Sequence, residues 1–195
     1  LKAIVIDDQG AASVALDNKS LFRKTQKQFT LLAKSDSLIQ GMSTMGTPNI
    51  IDSVRAIGSM PVLNYGSEPL DGVENINGEA LMKLCQERGG SMDPCMPGCI
   101  VGCSIVYNDA DGNYVTSSYE YETIALMGTN LGITDPDIIA EFDRVIDDIG
   151  IDSIELGSAL GVAASAGRIK MGDSDGVFKA LKEIELGTEF GSVLG

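Results

Sequence analysis

Three of the four cysteines, Cys95, Cys99 and Cys103, stand at a repeat of four within residues 91–103, Ser-Met-Asp-Pro-Cys-Met-Pro-Gly-Cys-Ile-Val-Gly-Cys. Pro94, Pro97, Gly98 and Gly102 lie among them. Prolines and glycines hold a chain in turns and leave backbone N–H groups unpaired. Thiolates on such a loop can converge on one point while N–H groups donate to sulfur, which is the chemistry of a metal or iron–sulfur site. A single helix would also space cysteines by four, for packing, but two prolines and two glycines oppose it. Few cysteines and no signal peptide argue against disulfides and point to a reducing, cytoplasmic setting. Zinc and iron–sulfur both stay open, and three thiolates leave either one ligand short.

The second set of reactive groups is acidic. Glu122 falls on the stripe of Tyr119, Thr123 and Leu126 in a stretch, residues 118–130, that is apolar on nearly all sides and reads as a buried helix. A carboxylate there either sits at the edge of the first turn or is held inside, where burial favours the protonated form of an acid. Asp147 and Asp148 occupy the last turn of another predicted helix, where the macrodipole is negative, at a cost of about 0.3–1 kcal/mol each if exposed. They read as a solvated acidic surface, or else Asp147, with the turn and Asp152, accepts hydrogen bonds from a ligand.

The elements that must position these groups are mostly helical. Asp17 or Asn18 can cap a helix to about Lys34 with Leu21, Phe22, Phe29, Leu32 and Ala33 as its stripe. Thr47-Pro48 starts a helix that Gly58 ends, and Met60 to Ser67 reads as a loop. Asn77 opens a helix over 78–88 whose face includes Cys85, read as a core residue. Ser104 to Ser117 reads as a hairpin. Thr134-Asp135-Pro136 starts a helix that Gly150 stops, Asp152 or Ser153 starts the next, rich in Ala, Gly and Ser, and a last one runs from Ser174 to Leu186. Leu1 to Asp7 reads as a short strand, taken as the end of a preceding β domain over 1–10. Residues 11–195 then form one mainly α, multihelical domain, expected to be truncated at its C-terminus.

The 195 residues carry 28 Asp and Glu against 14 Lys and Arg, a net charge of −14, and no histidine. Nucleic-acid binding is disfavoured by that charge, and the absent histidine removes the usual general base and nitrogen ligand. No apolar run approaches the ~20 residues of a membrane span.

With Asp147-x-x-Gly150-Ile151-Asp152 placed after a cysteine cluster, the chain resembles the aldehyde:ferredoxin oxidoreductase family, tungsten or molybdenum bis-pterin enzymes of anaerobes with an adjacent [4Fe–4S] cluster. The resemblance extends over Leu1-Lys-Ala-Ile-Val5, Asn77-Gly78-Glu79, the cysteine loop, Tyr119-Glu120-Tyr121-Glu122-Thr123, Gly128-Thr-Asn-Leu-Gly132 and Gly187-Thr-Glu-Phe-Gly191. It implies that Cys95, Cys99 and Cys103 are cluster ligands, with the fourth in a domain beyond Gly195. It implies that Asp147, Gly150, Ile151 and Asp152 bind the pterin, and that Glu122 lies beside the metal as a catalytic proton acceptor. The partners it implies are ferredoxin or a similar carrier, a small aldehyde-like substrate, and further N- and C-terminal domains of the same polypeptide. Three departures stand out, one being that the family's catalytic histidine falls in the domain expected beyond Gly195. The family spacing C-x2-C-x3-C is C-x3-C-x3-C here, and its two Glu-x-x-His pairs read Glu141-Phe-Asp-Arg144 and Glu189-Phe-Gly-Ser192. The rival readings are a stand-alone zinc or iron–sulfur electron-transfer module without catalysis, and a purely structural helical domain.

Overall fold

In the computed structural model, which describes residues 4–66 and 68–195, the caps expected from sequence form the helices. Asn18 accepts from the Leu21 N–H at 2.9 Å and opens α1 (Lys19–Lys34). No residue of α1 is buried, so its stripe of Leu21, Phe22, Phe29 and Leu32 is exposed. Asp36 caps α2 (Ser37–Met45), an element absent from the sequence reading, and Gly46 ends it with a φ of 69°. A 3-10 turn, Thr47–Ile50, leads into α3 (Ile51–Ala56). Of the expected opening strand, Leu1 to Ala3 lie outside the described residues. Ile4 to Asp7 are exposed and form no strand, because no described segment runs beside them to pair their backbone. Ser67, the end of the expected 60–67 loop, also lies outside the described residues.

Asn77 caps α4 (Gly78–Arg88), which buries Leu81 and Cys85. After Gly89 and Gly90 comes β1 (Ser91–Asp93), which pairs antiparallel with β2 (Ser104–Asn108); β2 pairs in turn with β3 (Tyr114–Ser117). The expected hairpin is therefore two thirds of a three-stranded sheet, with Met92 opposite Ile105 and Tyr107 opposite Thr116. This matters for function, since the cysteine loop is the β1–β2 connection and both its ends are fixed by the sheet. Arg88 donates to the Tyr107 hydroxyl at 2.9 Å, and that hydroxyl donates to Asp137 at 2.7 Å, tying α4 and β2 to the start of α6 (Pro136–Ile149).

The stretch predicted as one buried helix is buried but broken. It consists of α5 (Tyr121–Thr123), a π turn over Ile124–Gly128 and a 3-10 turn over Thr129–Leu131. The reason lies in its neighbours. The Leu63 and Asn64 N–H groups donate to the carbonyls of Thr129 and Asn130. Those donors sit in a turn where Leu63, Asn64 and Tyr65 all have φ near +50° (48°, 51° and 58°). Such left-handed geometry costs roughly 1–2 kcal/mol per non-glycine residue. From the other side, α7 (Ser153–Ser165) presses its glycines onto the same segment. A methyl at Gly157 would lie 2.8 Å from the Leu126 carbonyl carbon and oxygen, which backbone cannot yield. Gly157→Ala is expected to destabilise the fold by about 1–3 kcal/mol, the usual range for overpacking; a denaturation midpoint unchanged from the parent would remove this close-packing explanation. α8 (Ser174–Leu186) packs Phe178 against Phe142 of α6 with ring centroids 4.6 Å apart, and α9 (Gly191–Leu194) follows. Among the described residues no helix is long and apolar enough to cross a membrane.

Candidate cofactor site

The cysteine loop leaves β1 at Pro94 and turns at Gly98 and Gly102, whose φ values of 86° and 62° are left-handed and need no side chain in the way. The Cys99 N–H closes a turn on the Met96 carbonyl at 3.1 Å, and Ser43 of α2 donates to the Val101 carbonyl. Backbone N–H groups of Gly102 and Val101 donate to the Cys99 sulfur and hold its thiol below the usual range. Such donors stabilise a thiolate, the form that ligates metal. The Cys95 thiol also hydrogen-bonds to Cys99. Cys103 behaves differently: burial first and the nearby Glu120 second push its thiol up. Cys85 is 4% exposed and its thiol is raised by burial, with Arg88 opposing, so it is the core residue expected. Among the described residues no three Cys, Asp or Glu side chains stand close enough to hold a single metal ion. The N–H-bonded sulfur of Cys99 and its contact with Cys95 fit an iron–sulfur cluster, whose ligand sulfurs commonly accept backbone hydrogen bonds.

A cavity of about 340 Å³ opens between the end of β3, α5 and the α6–α7 turn. Glu120, Glu122, Asp143, Asp147, Ile151 and Asp152 all line it. The structure thus brings Glu122 together with three of the four residues singled out for pterin binding. The fourth, Gly150, is the left-handed cap of α6 with φ 79°, and it turns the chain so that Asp152 can cap α7. The Asp152 carboxylate accepts from the Ile154 and Glu155 N–H groups, both at 2.9 Å. Asp147 is exposed; what burial it has raises its carboxyl, Arg144 opposes and Asp148 adds to the rise. Arg144 itself bridges to Asp148 at 3.0 Å, which offsets the charge at the end of α6. Carboxylates and the hydroxyls of Ser117, Ser118, Thr123 and Ser153 make an acceptor-rich wall. That chemistry fits the amino and ring N–H donors of a pterin.

Glu122 is exposed at this wall, in the first turn of α5, so the interior placement considered from sequence is not what forms. Its helix is three residues long before the π turn begins, and the apolar stripe that was to enclose it does not continue in register. Two other carboxyls are enclosed instead. Glu120 follows Ser118, a non-glycine residue at φ 58°, and accepts from Thr47 at 2.6 Å; burial raises its carboxyl, with the Thr47 bond opposing. It lines the cavity and also acts electrostatically on Cys103, so it stands between the two halves of the site.

Asp143 is the deepest acid, 5% exposed. It accepts from Thr116 at 2.6 Å, and burial lifts its pKa to about 6 against the opposing hydrogen bonds from Thr116 and Thr123. Sequence reading passed over it, although it lies three and four residues from Ile146 and Ile139 on the buried face of α6. An acid raised on folding favours the native state when protonated. Its cost is therefore absent below the unfolded value near 3.9 and fully developed above about 6, on the order of 3 kcal/mol. Asp143→Asn should accordingly raise the melting temperature at pH 7.5 and leave it near the parent's at pH 4. An equal shift at both pH values would mean that the carboxyl is not perturbed by folding.

Comparison with known proteins assigns this arrangement to a class. The family described as aldehyde ferredoxin oxidoreductase, domains 2 and 3, matches residues 24–195, and the chain belongs to that family. The tungsten-containing aldehyde ferredoxin oxidoreductase of Pyrococcus abyssi is 30% identical over 181 residues, covering 90% of this chain and 28% of that protein. Its counterpart from Thermococcus kodakarensis is 29% identical over 164 residues, 84% of this chain and 26% of that one. A shorter match, 39% identical over 70 residues, covers 34% of this chain and 11% of the aliphatic sulfonate oxidoreductase, WOR-like subunit, of Pyrococcus furiosus. The chain spans about a quarter of the length of the tungsten-containing relatives it matches.

Proposed function

We propose that the chain is the cluster- and pterin-binding part of a tungsten- or molybdenum-pterin oxidoreductase that oxidises an aldehyde, or a related carbonyl compound, and passes the electrons to ferredoxin or a similar carrier. The observation that carries this reading is the cavity in which Glu122, Asp147, Ile151 and Asp152 meet, with Glu120 linking it to Cys103. Family membership and the tungsten-containing relatives support the cofactor class.

When bound, the metal–pterin group would accept two electrons as the aldehyde carbon gains an oxygen from water, with two protons released. The residues of this chain do the rest. Asp147 and Asp152 would accept hydrogen bonds from the pterin, with Ile151 of the turn between them on the same wall. Glu122 takes a proton from the substrate side of the cavity. Cys95, Cys99 and Cys103 would hold the cluster through three thiolates, and the backbone donors at Cys99 stabilise its thiolate. The full-length enzyme should reduce ferredoxin with an aldehyde as the donor. The shorter match favours a second substrate class, so an aliphatic sulfonate is the comparison substrate; turnover with it and none with any aldehyde would overturn the aldehyde assignment.

The isolated 195-residue chain is expected to fold but to hold no stable [4Fe–4S] cluster. Cys85 is buried in the core, so the loop supplies three thiolates only, an open set prone to oxidation and iron loss. Iron and sulfide at full cluster stoichiometry in the purified chain would contradict the three-ligand assignment.

A further inference from the structure

Asp143 is enclosed by groups that can pass a proton. Thr116 of β3 donates to it, Thr123 of α5 hydrogen-bonds to it, and Thr123 in turn shares a hydrogen bond of 2.8 Å with Ser153 at the start of α7. Thr123, Ser153 and Asp143 all line the cavity that Glu122 lines. The carboxyl is therefore buried from bulk solvent, yet a chain of two hydroxyls runs from it along the cavity wall.

We propose that Asp143 is the proton store of this cavity, a positioning residue that receives the proton Glu122 has accepted and so returns Glu122 to its basic form for the next turnover. The inference rests on the role given to Glu122 above. The step moves one proton and no electrons. The O–H bond of the Glu122 carboxyl breaks and one forms on Asp143, across the cavity that both line, with the Thr123 and Ser153 hydroxyls of the same wall each able to give up one proton and take another. The charge of the cavity is unchanged.

The other groups around Asp143 fit this use. Asp147 on its own helix and Glu120 ahead of α5 both raise its proton affinity. Glu122 and Asp152 complete the acidic wall, while Arg144 is engaged with Asp148. Burial and these neighbours bring Asp143 to about 6, where a carboxyl can both take up and release a proton at ordinary pH. Below that value the store is filled.

The test uses the full-length holoenzyme in three variants. In the parent, kcat should fall as pH drops through about 6, and a protonated-carboxyl infrared band should grow over the same range. Asp143→Asn should remove that band and the acid limb, lower kcat several-fold at neutral pH and leave KM unchanged. Thr116→Val keeps the carboxyl but removes a donor that lowers its proton affinity, so the limb and the band should move together to higher pH. Glu122→Gln should keep the band. An unaltered acid limb in Asp143→Asn overturns the store, as does a Thr116→Val profile that does not move. Near-normal turnover in Glu122→Gln would instead defeat the catalytic reading on which the store depends, whatever the band does.

Discussion

Glu122→Gln in the full-length protein lowers turnover by at least ~100-fold, the lower end of what a general acid–base group contributes. The amide keeps the shape and one acceptor oxygen but cannot take a proton. Because Glu122 sits exposed on the cavity wall with no packing duty in the core, the substitution should leave the fold and the metal and pterin contents near the parent's. Asp147→Ala makes the contrast. If Asp147 holds the pterin, that variant loses cofactor along with activity. Turnover near the parent's in Glu122→Gln, with cofactor intact, would make the glutamate structural, and Glu120, two residues away on the same cavity, would become the carboxylate to replace.

The second large effect is at the cysteine loop. Cys99→Ala should abolish or degrade the iron–sulfur absorption of the full-length protein, because it removes the sulfur that Gly102 and Val101 support and leaves one iron open. Cys85→Ala should leave iron and spectrum intact, since that thiol packs in the core at 4% exposure. Its cost is limited to stability. An unchanged spectrum in Cys99→Ala, or a matching loss in Cys85→Ala, would redraw the ligand set.

What could be read from the chain and what could not divide along physical lines. Caps are local, so Asn18, Asn77, Asp135 and Asp152 started helices where their side chains predicted, and Gly150 stopped one. Cys85 could be placed in the core from its spacing on α4. The strand β1 could not be read, because three residues carry no period and pair only with β2, eleven residues or more away along the chain. The π turn after Glu122 was equally hidden. It depends on the left-handed turn at Leu63 to Tyr65 and on the glycines of α7, both remote in sequence. That break leaves Glu122 exposed at the edge of the first turn, one of the two placements its sequence position allowed, and tertiary context decided between them. α2 and Asp143 were legible and missed. Asp36 is a cap of the ordinary kind, and a carboxylate on the stripe of Ile139, Phe142 and Ile146 announces a buried acid.

Metal analysis of the purified full-length protein tests the central claim most directly. The account predicts tungsten or molybdenum together with about four irons per polypeptide, the complement of one metal–pterin group and one [4Fe–4S] cluster. Zinc alone, or no metal, in a protein purified without oxygen would contradict it.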